Sequence, residues 1–199
     1  MAPVRFQAAI DAFDRANAED PHTIVTNDGN VHEPRELVQA RRLSAWVAEL
    51  DPNASEPLRL AARCQHIRRW QIPRGAYPSG RVGYLQWRTQ LARFHADTAA
   101  QLLEECGYER ELVDAVRRIN LKQNLRSSAD SQTMEDALCL AFLQFELEEF
   151  IAKYPTEKVV EVVQKSWHKM SSQARERALL LPLSPGAFGI IERALASAS

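Results

Sequence analysis

Residues 84–106 read YLQWRTQLARFHADTAAQLLEEC. Leu85, Leu91, Phe94, Thr98, Leu102 and Leu103 recur at helical spacing, so the pattern predicts one long amphipathic helix with these residues inward. Gly107 stands where a helix-ending glycine belongs. Trp87, Leu91 and Phe94 fall on one face, and Arg88 shares another with His95. Elsewhere no stretch alternates with period two for long, and no repeat is evident. The expected fold class is all-α, a single-domain helical bundle over residues 1–199.

Upstream of that helix the composition is unusual. Residues 64–97 hold Arg68, Arg69, Arg74, Arg81, Arg88 and Arg93, together with Trp70, Trp87, Tyr77, Tyr84, His66 and His95, against a single acid, Asp97. Arg presents a planar fork that matches phosphate or carboxylate. The segment is therefore expected to face an anion, although arginine-rich loops also serve as partners for acids elsewhere in a fold. Within it, residues 71–83 carry Pro and Gly in number and read as a long loop, the kind that tends to be functional in a compact domain.

The remaining periodicities give further helices. Residues 4–18 form the first, stopped before Asp20-Pro21. Residues 20–33 read as a polar loop carrying solvated His22 and His32. Glu33-Pro34 opens the second, in which Arg41 and Arg42 interrupt an apolar stripe, so that one of them must lie near the buried face. Ser55 and Pro57 start the third, whose Leu60-Ala61-Ala62 is apolar nearly all round and marks it as central. Residues 109–122 form a fifth helix, 123–132 a loop, and 133–151 the most apolar helix, with Glu135 and Asp136 at its N-terminal turn, where the helix dipole favours acids. Helices over 156–169, 172–180 and 185–197 complete the chain. The core bundle is expected at about 34–151, with the terminal helices packed on it.

With 199 residues, 45% hydrophobic and 26% charged, the chain is long enough for a sizeable core. A net charge of −1 gives no bulk attraction to nucleic acid or membrane, so polyanion binding would have to come from local clustering. Cys64, Cys106 and Cys139 are odd in number and unpaired by spacing, which argues for a reducing compartment. No secretory leader is read at the start, and no apolar run approaches the roughly 18 residues of a membrane span. A cytoplasmic location is expected. No glycine-rich phosphate loop, Gly-x-Ser-x-Gly elbow or His-Glu-x-x-His pair is present. Cys64 and His66, two apart on a helix, point to different sides, which disfavours a nucleophile–base pair.

Leu60-Ala61-Ala62-Arg63-Cys64-Gln65-His66-Ile67 resembles the Ala-Ala-x-x-His-Asp-Ile helix of the His-Asp (HD) phosphohydrolase superfamily. His95 through Leu103 with Gly107-Tyr108 resembles its next His-containing helix, and Glu135-Asp136 its closing Asp helix. Gln65 stands in place of the metal-binding His, His66 in place of the Asp, Arg41 or Arg42 in place of the first His, and Lys122 near a further His position. The resemblance implies an HD-like bundle in which His66, His95 and Asp136, with Glu135, would hold a divalent metal, or in which Arg and Lys take the metal's place and bind an anion directly.

A longer resemblance is to the family known as domain of unknown function 4202. It runs through Arg5-Phe6-Gln7-Ala8-Ala9-Ile10, Ala40-Arg41-Arg42, Gln65-His66-Ile67-Arg68-Arg69-Trp70, Pro73-Arg74 and Tyr77-Pro78. It continues through Gly83-Tyr84-Leu85, Trp87-Arg88, Phe94-His95-Ala96, Glu135-Asp136-Ala137, Trp167 and Lys169-Met170-Ser171. Members are at times labelled glutamyl-tRNA synthetase. Lys169-Met170-Ser171-Ser172 does resemble the Lys-Met-Ser-Lys-Ser loop of class I aminoacyl-tRNA synthetases. Those enzymes place that loop beside a nucleotide-binding α/β fold, and no parallel strands are expected here. Ser171 or Ser172 is expected to cap a helix instead.

The function expected is that of a hydrolase-like enzyme acting on a small phosphorylated or anionic metabolite or nucleotide. His66, His95, Asp136 and Glu135 would carry the chemistry. Arg41, Arg42, Arg69, Arg74, Arg81 and Arg88 would neutralise the anion, and Trp70, Tyr77 and Trp87 would wall it. Gln65, Tyr84 and Lys122 complete the expected substrate-binding set. The alternative is a non-catalytic binding module for tRNA or single-stranded nucleic acid, or an interaction scaffold.

Overall fold

The computed structural model describes residues 2–26, 31–123 and 128–196. The fold is all-α apart from one small antiparallel hairpin among the described residues. None of its helices, among those residues, is long and apolar enough to cross a membrane. The chain divides into two compact units, Met1–Ser131 and Gln132–Ser199. The expected core span of 34–151 runs across that division.

The first unit holds α1 (Ala2–Ala18), β1 (Thr23–Thr26), β2 (Val31–Pro34), α2 (Arg35–Leu50), α3 (Glu56–Cys64), α4 (Gly80–Glu105) and α5 (Arg110–Asn120). α3 is central, as its composition implies: it packs against α1, α2 and α5. Leu58, Leu60, Ala61, Ala62 and Cys64 are fully buried. The alanines let neighbouring helices approach closely, while Ser55 starts the helix by accepting the Leu58 N–H at 3.2 Å.

Three boundaries differ from the sequence expectation. The 20–33 loop contains the hairpin, which pairs Thr23 with Pro34, Ile24 with Glu33, Val25 with His32 and Thr26 with Val31. The β-branched run Thr-Ile-Val-Thr favours extended backbone, but four residues with one half-exposed face leave little periodicity to detect. The turn residues 27–30 lie outside the described residues. Asp20, itself buried, pins this hairpin to α2 by accepting the backbone N–H of His22 at 2.9 Å and of Glu36 at 3.1 Å. His22 and His32 are exposed, as expected.

The second difference is that α4 starts at Gly80 rather than 84. Gly83 lies against the preceding loop so closely that a Cβ there would sit 1.9 Å from the Pro78 carbonyl oxygen. Glycine is thus required inside the helix. The buried face of α4 runs through Gly83, Trp87, Leu91, His95, Ala96, Ala99, Ala100 and Leu103. Leu85, expected inward, is 52% exposed.

The third difference concerns the last expected helix before Tyr154. It is two, α6 (Ala129–Phe145) and α7 (Leu147–Lys153). α6 also begins at Ala129, within the expected 123–132 loop, so Glu135 and Asp136 stand beyond the first turn in which the dipole acts. The second unit continues with α8 (Thr156–Lys169), α9 (Ser172–Leu179) and α10 (Pro185–Ala196), with α10 packed on α7 and α8.

Candidate functional site

α3 ends at Cys64, and the next four residues turn sharply under the control of α1. Arg68 adopts φ 51, a left-handed conformation unusual for a residue with a side chain. Its backbone N–H donates to Asn17 Oδ1 at 3.1 Å, and its guanidinium reaches both Glu19 oxygens at 3.1 and 3.2 Å. This turn places His66 beside His95 of α4, with ring centroids 5.9 Å apart. His95 Nδ1 lies 2.7 Å from the Ile67 carbonyl oxygen. A carbonyl only accepts, so Nδ1 carries the proton and Nε2 keeps its lone pair.

Both imidazoles are held neutral. His66 is pushed well below the ordinary histidine range, first by burial and then by the charge of Arg69, with His95, Arg88 and Lys122 adding to the depression. His95 is pushed down to about 4 by burial, against the pull of the Ile67 carbonyl, with Arg69 and Arg88 adding to the depression. Arg69 sits with its guanidinium 5.4 Å from the centre of the Trp87 ring, a cation–π arrangement. Trp87 is fixed in turn by its indole N–H, which donates to the Ile72 carbonyl at 2.9 Å. Tyr84 packs on Trp87 at 5.9 Å, and 46% of it remains exposed. Among the described residues, no carboxylate pairs with Arg69 or Arg88. Lys122 enters from the end of α5 and is the second described non-glycine residue with positive φ, at 56. The first is Arg68, so both such positions flank the same site. Backbone strain of this kind persists where the surrounding structure enforces it, and it gathers at functional sites.

The first unit thus brings together His66, His95, Gln65, Arg69, Arg88, Trp87 and Lys122. Other expected anion ligands have different partners. Arg41 is exposed and pairs with Glu33 at 2.7 Å. Arg42, the half-buried one of the two, lies on the inner side of α2, as the stripe required. Arg74 clamps its own loop, donating to the carbonyls of Tyr77 at 3.0 Å, Pro78 at 2.9 Å and Gly80 at 3.5 Å. Arg81 is exposed at the start of α4 and Trp70 half-buried in a short turn. Tyr77 lines a shallow groove of about 790 Å3 with Leu85, Gln86, Thr89, Gln90 and Arg93.

In the second unit, Asp136 accepts the backbone N–H of Ser171 at 2.8 Å, the Ser171 hydroxyl at 2.6 Å and the Gln132 amide at 2.9 Å. Ser171 also caps α9 by accepting the Ala174 N–H at 3.2 Å. Glu135 is buried and pairs with Lys169 at 3.1 Å. The Lys169-Met170-Ser171 run is the joint that ties the α8–α9 corner to α6, with Met170 buried between its two polar neighbours. That role accounts for the run without any likeness to a synthetase loop.

Sequence reasoning missed Asn120. It is 3% exposed, its amide donates to Cys64 Sγ at 3.3 Å, and its Oδ1 has no partner among the described residues. The signal was present: Val113, Val116 and Asn120 follow helical spacing, so a polar residue falls on the apolar stripe of α5. The Cys64 thiol is pushed up to about 12 by burial, so it is inert as a nucleophile.

A family model described as Domain of unknown function (DUF4202) matches residues 7–191. The chain belongs to this family. Neither a curated protein nor a solved structure matches it. The HD likeness is not part of what these comparisons show, so DUF4202 membership fixes a family and leaves the reaction to the site itself. Among the described residues no three His, Cys, Asp or Glu side chains gather so as to hold a metal ion. His66 and His95 have cations as their charged neighbours, a setting that repels a divalent metal. The site of this DUF4202 chain does not fit the expected metal.

Proposed function

We propose that the protein binds a small phosphorylated metabolite or nucleotide against Arg69, Arg88 and Lys122 and hydrolyses it with His66 as general base. One observation carries the reading: two neutral imidazoles lie in contact beneath a cluster of cations, of which Arg69 and Arg88 have no carboxylate partner among the described residues. A depressed histidine is a weak base. A phosphate dianion bound among the cations offsets the charges that depress His66, so its basicity rises as the ligand arrives. Water then attacks phosphorus and gives a proton to His66 as the ester P–O bond breaks. The imidazolium returns that proton to the leaving oxygen, and the guanidinium groups stabilise charge on the equatorial oxygens. His95, held by Ile67, buttresses His66.

The experiment is a thermal-shift titration with inorganic phosphate, followed by phosphate release from p-nitrophenyl phosphate and a nucleotide panel. His66→Ala and Arg69→Ala are expected to lose activity at least a hundredfold while melting cooperatively, in line with removal of a general base or a charge clamp. If both variants simply unfold, the cluster is structural and the reading fails.

A second reading, a single-stranded nucleic-acid module, draws on the outer face of α4, where Arg81, Tyr84, Arg88 and Arg93 are exposed. Steep weakening of oligonucleotide binding with salt, in a protein inert towards phosphoesters, supports this alternative.

A further inference from the structure

The first half of α4 lies against its unit by a narrow stripe. From Arg81 to Arg93 the buried positions are Gly83, Trp87 and Leu91, one to each turn, and most of the others are exposed. A surface helix normally turns a polar side to water. Here the side opposite Trp87 is apolar. Val82 is 71% exposed and Leu85 52% exposed, and exposed Thr89 and half-buried Ala92 continue the row. The positions 82, 85, 89 and 92 advance by three, four and three residues, the seam of a coiled coil over two heptads. Trp87 falls at the heptad position farthest from that seam and docks on the protein's own core. Two shallow grooves, of about 790 and 500 Å3, share Leu85, Thr89 and Arg93, and the smaller one reaches Arg117 and Leu121 at the end of α5.

The flanks of the seam decide what it can pair with. In a coiled coil the positions beside the seam face those of the partner and select it by charge. On α4 they are Arg81 and Arg88 on one side and Gln86 and Arg93 on the other, all exposed. Residues 80–96 contain no acid, and Asp97, the first to follow, is held by Arg117 at 2.6 Å. A second copy of α4 would set arginine against arginine, so pairing with itself is unfavourable. Single-stranded nucleic acid stacks on aromatic rings, whereas this row is aliphatic.

We infer that this face of α4 docks an acidic amphipathic helix of another protein, with aliphatic side chains laid over Val82, Leu85 and Ala92 and Glu or Asp beside Arg81, Arg88 and Arg93. At 1.5 Å per residue the seam runs for about 15 Å, which suits a transient contact. Docking here does not require the phosphate site. Arg88 borders both, so it is left in place in the variants that test the seam.

The test is fluorescence anisotropy with the full chain and a labelled helical peptide of about three heptads, with Leu at its seam positions and Glu beside them. The same peptide with Lys in place of Glu, and a single-stranded oligonucleotide, are the comparisons. The acidic peptide is expected to bind at least about tenfold tighter than the basic one. Leu85→Gln changes no charge and should weaken the acidic peptide about tenfold by removing one apolar contact. Arg93→Glu should weaken the acidic peptide about tenfold and strengthen the basic one. Both positions are exposed, so both variants should melt within about 2 °C of wild type. No binding of the acidic peptide to wild type, or equal affinity for the two peptides, overturns the inference. So does an oligonucleotide that binds wild type more tightly than the acidic peptide and is lost in Arg93→Glu but not in Leu85→Gln, which would give the face to nucleic acid.

Discussion

Replacing Lys122 by glycine should make the protein more stable and less able to hold phosphate. Lys122 follows the last turn of α5, where its N–H donates to the Ile119 carbonyl at 3.0 Å and the next N–H, of Gln123, donates to Arg118 at 2.9 Å. This is the Schellman pattern, in which the residue at Lys122's position is usually glycine. Lysine there, at φ 56, carries roughly 1–2 kcal/mol of left-handed strain. Glycine removes that strain but restores about 0.4–1 kcal/mol of freedom to the unfolded chain. The net gain is about 0.5–1 kcal/mol, which for a chain of this size raises Tm by about 2 °C. Losing one charge-assisted contact should meanwhile weaken phosphate about tenfold to a hundredfold. Lys122→Met separates the two effects: it keeps the strained backbone and loses only the charge, so it should lose phosphate affinity without the gain in Tm. Scanning calorimetry and phosphate titration on the three proteins decide the matter. A Lys122→Gly that melts below wild type would show that the side chain holds the fold together. Phosphate affinity within twofold of wild type in both variants would remove Lys122 from the anion site.

Two further outcomes follow from the same geometry. Keeping His95 neutral is linked to stability. The unfolded chain protonates it near 6.5 and the folded chain near 4, so its contribution is full above pH 6.5 and is lost as pH falls towards 4. At about 1.4 kcal/mol per pH unit this is about 3 kcal/mol, and wild type should lose that much more than His95→Gln over that window in urea titrations. Equal losses would refute the assignment. Ser171→Ala removes a hydroxyl bond to Asp136 and the cap of α9, and should lower stability by about 2–3 kcal/mol while leaving phosphate affinity within twofold. Lost activity at unchanged Tm would instead place Asp136 in the chemistry.

The helices were legible because most of them bury one stripe, and a stripe repeats every three or four residues whatever the tertiary context. What escaped depended on contacts distant in sequence. Gly80 and Gly83 read as loop residues, yet both lie in α4, and Gly83 must be glycine because the Pro78 carbonyl leaves no room for a Cβ. The break at Glu146 carries neither Pro nor Gly, and nothing local announces it. The hairpin at Thr23–Pro34 is too short and too exposed for its alternation to stand out.

The site shows the same division between composition and geometry. Arginine density marked residues 64–97, but it could not say which guanidinium groups take carboxylate or carbonyl partners within the fold. Arg74 binds three carbonyls of its own loop, Arg41 binds Glu33 and Arg68 binds Glu19, while Arg69 and Arg88 take no carboxylate among the described residues. That sorting is set by the turn at Arg68, whose left-handed backbone is held by Asn17 some fifty residues upstream. The acidic expectation failed to separate roles for a related reason. A carboxylate that accepts three bonds from Gln132 and Ser171 is indistinguishable, in sequence, from one that holds a metal. Asn120 is a buried polar position that composition passes over, since it adds neither charge nor aromatic surface. A lone amide on the apolar stripe of α5 is tied to the Cys64 thiol of α3, a contact that nothing local in the sequence announces.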